Sequence, residues 1–319
     1  MAQPATVDLR SRHQFADRAF RWSTLGAAAL ILLVLVLIAW TVGNKSSVVF
    51  REEGLELFTT RRWAPNDGAY GALAFIYGTL VTSVIALVFA VPVSIGIALF
   101  ATQVAPAWLK RWIVSLTDLV AVVPSVVFGL WGIIYLAPKL TGFYRNLSGW
   151  FDGWPILGSL FGKASAGRTF LTAGLILAVM ITPIITSIAR EVIETTPQTD
   201  RDGALALGAT RWEMIKGAVL PHSLGGLVGS VMLGLGRAMG ETIAVALVIG
   251  SSPTITANLL SSGDSLPAVI AFQWGEATDA TKRSALIAMG LTLFVLTVVV
   301  NLAATAIVNR ATRRIKGAS

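Results

Sequence analysis

Six long apolar runs separated by polar segments set the pattern of the chain. They lie near Thr24–Val42, Phe75–Ala101, Ile113–Ala137, Phe170–Ala189, Leu224–Gly250 and Ala285–Val308. At about 1.5 Å of rise per helical residue, each is long enough to cross a hydrocarbon layer about 30 Å thick. The pattern predicts an all-α polytopic membrane protein with six transmembrane helices. The polar stretches between them are a tail 1–23, outer loops 43–74 and 138–169, an inner loop 190–223, an outer connection 251–284 and a tail 309–319.

Details inside the runs sharpen this picture. Pro92, Pro124 and Pro183 fall in the second, third and fourth runs, where each removes a backbone donor and kinks its helix. Gly225/Gly229 and Gly236/Gly240 give the fifth run two small-xxx-small faces, the spacing that lets helices approach closely. That run is expected to pack tightly within protein. "FADRAFRW" (15–22) reads either as a short interfacial helix with Phe15, Phe20 and Trp22 in the headgroups or as a flexible tail. "LPAVIAFQW" in the outer connection is expected to dip toward the outer mouth.

Composition agrees with a membrane protein. The 319 residues are 55% hydrophobic and 13% charged, against about 25% charged in soluble domains. The formal charge of +8 invites a nucleic-acid partner, but its distribution answers to topology. With both termini inside, fourteen Lys and Arg fall on the inner side, ten on the outer side and Arg237 in the membrane. The tails and the short Lys110–Arg111 loop follow the positive-inside rule. No nucleic acid is expected to bind.

Several chemistries are excluded. There is no cysteine, so there is no disulfide. The first apolar run is long and lacks a small-x-small cleavage site, so it is expected to stay as a helix. "GSLFGKAS" (158–165) has three residues between its glycines where a phosphate-binding loop needs four, and Ala164 stands where that loop has Ser or Thr. The chain is expected to have no nucleotide site of its own. His13 and His222 stand too far apart to suggest a metal site. No cofactor is expected.

The inner loop carries the most specific signal. "TTPQTDRDGALALGATRWEMIKGAVLP" (195–221) reads as a turn, a short helix, a glycine break at Gly208, a second short helix and a proline. Asp200 or Asp202 is expected to cap the first helix. The loop resembles the EAA loop of binding-protein-dependent ABC permeases: Asp202-Gly203-Ala204, then Gly208, then Ala218-x-Leu220-Pro221, with the family spacing throughout. Three positions depart from the pattern, with Asp for Glu, Gly for Ala and Ala for Ile.

Residues 70–100, "DLVAVVPSVVFGLWG" (118–132) and "GLGRAMGETIAVALVIG" (234–250) resemble the PstC-type permease subunits of bacterial phosphate importers. The resemblance implies a type I ABC permease (MetI-like) core over 75–308, in a bacterial inner membrane with both termini cytosolic. It implies that Asp202, Gly203, Ala204, Leu205, Gly208, Ala209, Thr210 and Arg211 form a coupling helix for an ATPase. The implied partners are a sister permease (PstA-like), a cytosolic ATPase dimer (PstB-like), an external phosphate-binding protein (PstS-like), inorganic phosphate and the lipid bilayer.

Arg237 and Glu241 interrupt an otherwise apolar run. Four apart on a helix, they are expected to share one face, with Glu241 holding the guanidinium. A lone arginine at mid-bilayer costs about 2.5–3.5 kcal/mol on insertion scales, so such residues face a bundle interior or a wet path. A guanidinium also donates paired hydrogen bonds to an oxyanion. Arg237, Glu241 and Asp118 are the candidate path residues. A purely structural Arg237–Glu241 pair is the alternative, and Asp118 either joins a span-five group or makes a local contact to Arg111. Thr79, Thr82, Ser83 and Thr242 either line a path or bond back to their own helices. Two other functions fit the same segments: a permease for another oxyanion or small solute, and a non-transporting membrane scaffold.

Overall fold

The computed structural model describes residues 14–316 apart from 53, 55 and 165. In chain order its elements begin with α1 (Gln14–Glu52), α2 (Glu56–Thr59), and an antiparallel ribbon of β1 (Trp63–Ala64) and β2 (Ala69–Tyr70). They continue with α3 (Leu73–Leu99), α4 (Ala107–Val122), α5 (Ser125–Trp131), α6 (Ala137–Trp150) and α7 (Leu157–Leu160). Then come α8 (Phe170–Glu194), α9 (Gln198–Ala206), α10 (Arg211–Met214) and α11 (Leu220–Gly240). The last are α12 (Ile243–Val248), α13 (Leu266–Gln273) and α14 (Ala280–Lys316). π-helical turns at 100–104, 132–136 and 215–219 extend α3, join α5 to α6 and join α10 to α11.

Six helical runs are long and apolar enough to span a membrane, as the hydrophobic pattern predicts. Their limits differ from the apolar runs in three places. α1 is continuous from Gln14, so Phe20 and Trp22 sit on the first turns of the first span rather than on a separate helix, and both are exposed. Residues 1–13 and the Phe15 side chain lie outside the described residues. The third crossing is Ser125–Trp150, a dozen residues later than Ile113–Ala137, so the start of the expected outer loop 138–169 is helical. The fifth begins at Arg211 and stops at Gly240, ten residues short of the apolar run.

Proline explains the shift of the third crossing. Val123 before Pro124 is extended, at φ −62° and ψ 126°, the conformation a following proline favours. α4 buries none of its residues, so little packing resists the break. Pro92 and Pro183 lie inside α3 and α8, which stay helical through them. These two helices form the centre of the core and hold each other straight.

α3 and α8 run parallel. Gly174 lies against Thr82 and Ile85, and farther along Ser94 Oγ donates to the Thr182 carbonyl at 3.1 Å. Around them Phe170, Ile176, Leu177, Ile181, Ile185, Val245 and Ile249 make the main apolar core. A second cluster joins Val49, Leu57, Phe75, Leu266, Leu286 and Met289 at one end of the bundle. A third, with Ala98, Ala189, Ile193, Met214, Ile215 and Leu227, lies at the other end, where α9 sits. α1 is peripheral. It is tied to α14 by Val49 N–H donating to Ser284 Oγ at 3.4 Å and Ser284 Oγ donating to the Lys45 carbonyl at 2.8 Å.

Candidate functional site

α11 runs antiparallel to α8, and two glycines permit the close approach. A Cβ on Gly226 would stand 2.4 Å from a Val192 methyl, and one on Gly234 would stand 2.7 Å from the Ile185 side chain. The small-xxx-small pairs expected to pack do not. Gly225, Gly229 and Gly240 have no neighbouring atom within 4 Å of a built Cβ, and Gly236 meets only Asn301 Nδ2 at 3.9 Å. These glycines form an open face of α11, so the expectation of close packing holds for its opposite face only. The heptad-like count i, i+4 identified small faces but not which one the neighbours would occupy.

Arg237 sits in the last turn of α11 and is exposed, where a cation complements the partial negative charge of a helix C-terminus. Glu241 does not share its helical face. α11 ends at Gly240, and Glu241 is extended at φ −69° and ψ 124°, with 9% of its surface exposed. The i,i+4 neighbourhood exists only inside a helix. Among the described residues no ion pair joins the two; the ion pairs present are Arg62–Asp67 and Lys110–Glu194.

The segment after the break turns inward. Thr242 Oγ1 donates to the Gly240 carbonyl at 3.2 Å, and α12 buries Ala244, Val245, Ala246 and Val248. α5 lies across α12 on Gly129, whose Cβ would stand 2.9 Å from the Ala244 Cα, and Gly132 meets Ile176 and Val248 in the same way. Two of the glycines in "PSVVFGLWG" therefore seat the third crossing on the α12 segment and α8.

Asp118 is exposed on α4. Among the described residues it forms no ion pair with Arg111 or Arg237. Lys110 on the same helix bonds Glu194 Oε1 at 2.7 Å and ties α4 to the end of α8; partly exposed pairs of this kind contribute at most about 1 kcal/mol. The hydroxyls divide. Thr79 and Thr82 bond back to the Phe75 and Gly78 carbonyls, both at 2.8 Å, and Thr79 Oγ1 also accepts from the Leu266 N–H at 3.0 Å. Ser83 Oγ is buried with no partner.

The 195–221 segment folds as its turn signals predict, with one change at the first cap. The N-cap of α9 is Pro197, without a side-chain bond. Asp200 lies in the first turn, and Asp202 accepts from Gln198 Nε2 at 3.2 Å. Proline has no side-chain acceptor, so Asp200 acts only through its charge in the first turn.

The far end carries a Schellman motif. Gly208 is left-handed at φ +85°; its N–H donates to the Leu205 carbonyl at 3.0 Å, and the Ala209 N–H donates to the Ala204 carbonyl at 3.2 Å. That conformation is nearly free for glycine and costs about 1–2 kcal/mol for other residues. Thr210 then caps α10 in a reciprocal box, accepting from the Glu213 N–H at 3.3 Å while Glu213 Oε2 accepts from the Thr210 N–H at 2.8 Å.

α9 is held to the bundle by one strong contact. Arg201 Nη2 donates to the Ile193 carbonyl at 2.8 Å, adding a second donor to an acceptor at the end of α8 that also takes the Thr196 N–H at 3.3 Å. Ala204 packs on the third core cluster. Everything else faces outward: Leu205, Leu207 and Trp212 are exposed at 43%, 92% and 56%, and Gly203 has open space around it. An apolar knob stands on a short, firmly capped helix, the arrangement suited to a protein partner.

Two polar groups escaped the sequence reading. Asn301 interrupts "TVVVNLAA" in the last crossing, a signal of the same kind as Arg237. Asp264 lies between α12 and α13 and is 5% exposed. It accepts from the Ser265 N–H at 2.8 Å and lines a cavity of about 320 Å³ together with Glu276, Gln273 and Ser251. Burial pushes its carboxyl up to about 6, with the Ser265 bond pulling the other way.

Residues 90–313 match the family described as binding-protein-dependent transport system inner membrane component. A Xylella fastidiosa protein named phosphate transport system permease protein PstC is 40% identical over 312 residues, 98% of this chain and 95% of its own length. A Mycobacterium tuberculosis protein named phosphate transport system permease protein PstC 2 is 40% identical over 316 residues, 96% of each chain. Among solved structures, a chain of a bacterial ABC transporter that imports alginate shares the fold at a TM-score of 0.61 and 19% identity, over 92% of this chain and 96% of its own. A chain of the MetNI methionine ABC transporter does so at 0.51 and 20% identity, over 76% and 94%. The chain belongs to the binding-protein-dependent inner membrane transport family and, within it, to the phosphate transport system permease proteins.

Proposed function

We propose that the chain is the transmembrane subunit of an ATP-driven phosphate importer in a bacterial inner membrane. Both termini are cytosolic, as the basic tails favour. Residues 1–23, which include the first turns of α1, and 309–319 lie on the cytosolic side, 24–42 are the membrane-crossing part of the peripheral first helix, and 75–308 are the transport core. A sister permease completes the translocation path, an external binding protein delivers phosphate, and a cytosolic ATPase dimer supplies the hydrolysis that this chain lacks. Residues 202–211 dock into the ATPase, with Leu205 and Leu207 as the apolar contact.

The observation that carries this function is Arg237: an exposed guanidinium without a carboxylate partner among the described residues, beside an open glycine face, in a chain 40% identical to phosphate permeases along nearly its whole length. Phosphate is an oxyanion, and a guanidinium offers it a charged, planar pair of donors. Asp118, exposed on α4, would set a negative border nearer the cytosol. Glu241 stands at the helix break, off the helical face of Arg237.

The test is uptake by the complex reconstituted in vesicles. Arg237→Ala is expected to lower phosphate uptake at least about tenfold, as befits loss of a charged hydrogen bond. Arg237→Lys should retain part of it, because the charge stays while the fork is lost. Wild-type uptake by both variants would remove Arg237 from the path.

A further inference from the structure

Asn301 lies on α14 where that helix passes α11. Its Oδ1 is buried and has no hydrogen-bond partner, while its Nδ2 lies 3.9 Å from where a Cβ on Gly236 would stand. Gly236 immediately precedes Arg237, so the amide lies alongside the turn to which Arg237 belongs. An acceptor left without a donor in an apolar interior is strongly disfavoured, and amide side chains in membrane helices bond across to neighbouring helices. The backbone N–H groups of that turn are engaged within α11. Arg237, the next residue in that turn, carries its donor-rich group, and Glu241 has left the helix.

We propose that Asn301 is a positioning residue for Arg237. When the Arg237 side chain swings toward α14, the Asn301 Oδ1 accepts from one guanidinium N–H and turns the fork along the open face of α11, leaving the remaining donors for two oxygens of a passing oxyanion. A neutral amide does this better than a carboxylate: it orients the cation without cancelling its charge or repelling the anion. The inference rests on Arg237 lining the path.

The experiment compares phosphate uptake by reconstituted complexes carrying Asn301→Leu, Asn301→Gln or Arg237→Lys, and by the Asn301→Leu/Arg237→Lys double variant. Asn301→Leu is expected to raise KM for phosphate about tenfold while the variant still co-purifies with its partner subunits. Asn301→Gln, which keeps the acceptor, should recover part of that loss. In the Arg237→Lys background Asn301→Leu should add little, because residues acting as one unit are not additive. If Asn301→Leu prevents assembly, Asn301→Ala takes its place with the same expected rise. A wild-type KM, or a defect of equal size in both backgrounds, overturns the proposal for Asn301 alone. Wild-type uptake by Arg237→Lys and Arg237→Ala overturns the path itself.

Discussion

Asp264 has the one strongly displaced carboxyl outside the crossings among the described residues. Its folded-state pKa of about 6 stands above the ordinary 3.8, so between about pH 4 and 6 the folded chain holds a proton that the unfolded chain releases. Stability contributed by the protonated form is complete below that window and is lost as pH rises through it. At about 1.4 kcal/mol per tenfold change, the difference is roughly 3 kcal/mol at neutral pH. Asp264→Asn keeps an acceptor for the Ser265 N–H and removes the buried charge. It is expected to raise the unfolding temperature of the detergent-solubilised protein at pH 7.5 and to flatten its slope between pH 4 and 6. Identical slopes in both proteins would show that the carboxyl titrates elsewhere. Arg237 makes a different point at this scale: its presence in an apolar run was plain in the sequence, but its partner was not, because one peptide turning to ψ 124° at Glu241 removes the neighbour that helical spacing supplies.

At the scale of the element, α11 has two glycine faces with opposite consequences. Gly226→Leu drives a side chain into Val192 on α8, and overpacking of this kind costs typically about 1–3 kcal/mol; a lower unfolding temperature of the purified subunit is the expected readout. A Cβ at Gly229 meets no atom within 4 Å and the residue is exposed, so the Gly229→Leu subunit should unfold within a degree or two of wild type. The same substitution should nevertheless slow phosphate uptake, since it fills the face beside Arg237. Equal thermal losses in the two variants would contradict the assignment of packed and open faces. The sequence exhibited all these glycines alike. Only the position of α8 separates them.

For the whole molecule, the continuous helical run Arg211–Gly240 matters most. Its 30 residues, at 1.5 Å each, make a rod about 45 Å long, with the α9 knob at one end and Arg237 near the other. The buried Met214, Ile215 and Val219 fix its lower end in the third core cluster, so a push on α9 is carried by a packed helix rather than by a loop. Gly208→Pro removes the N–H that closes the Schellman motif and forbids φ +85°; Ala204→Trp overfills the contact of α9 with the bundle. Each is expected to uncouple ATP hydrolysis from phosphate uptake or to prevent ATPase co-purification. Normal rates of both activities would show that residues 202–211 are not the docking element.

What the sequence determined by itself was local or summed over many residues. Six crossings follow from hydropathy over runs of about twenty residues, and no single contact can reverse so large a transfer term. The break at Gly208 follows equally, because a left-handed cap is a property of one glycine and its nearest neighbours. The tertiary structure decided matters that turn on which surfaces meet. Pro124 parted a helix while Pro92 and Pro183 did not, since α3 and α8 bury residues against each other and α4 buries none. The fifth crossing ended ten residues before its apolar run did, because α12 had to turn inward to bury Ala244 and Val248 against α5. Hydrophobicity is nearly blind to direction, so a chain this apolar states how many helices it has more clearly than where each one stops.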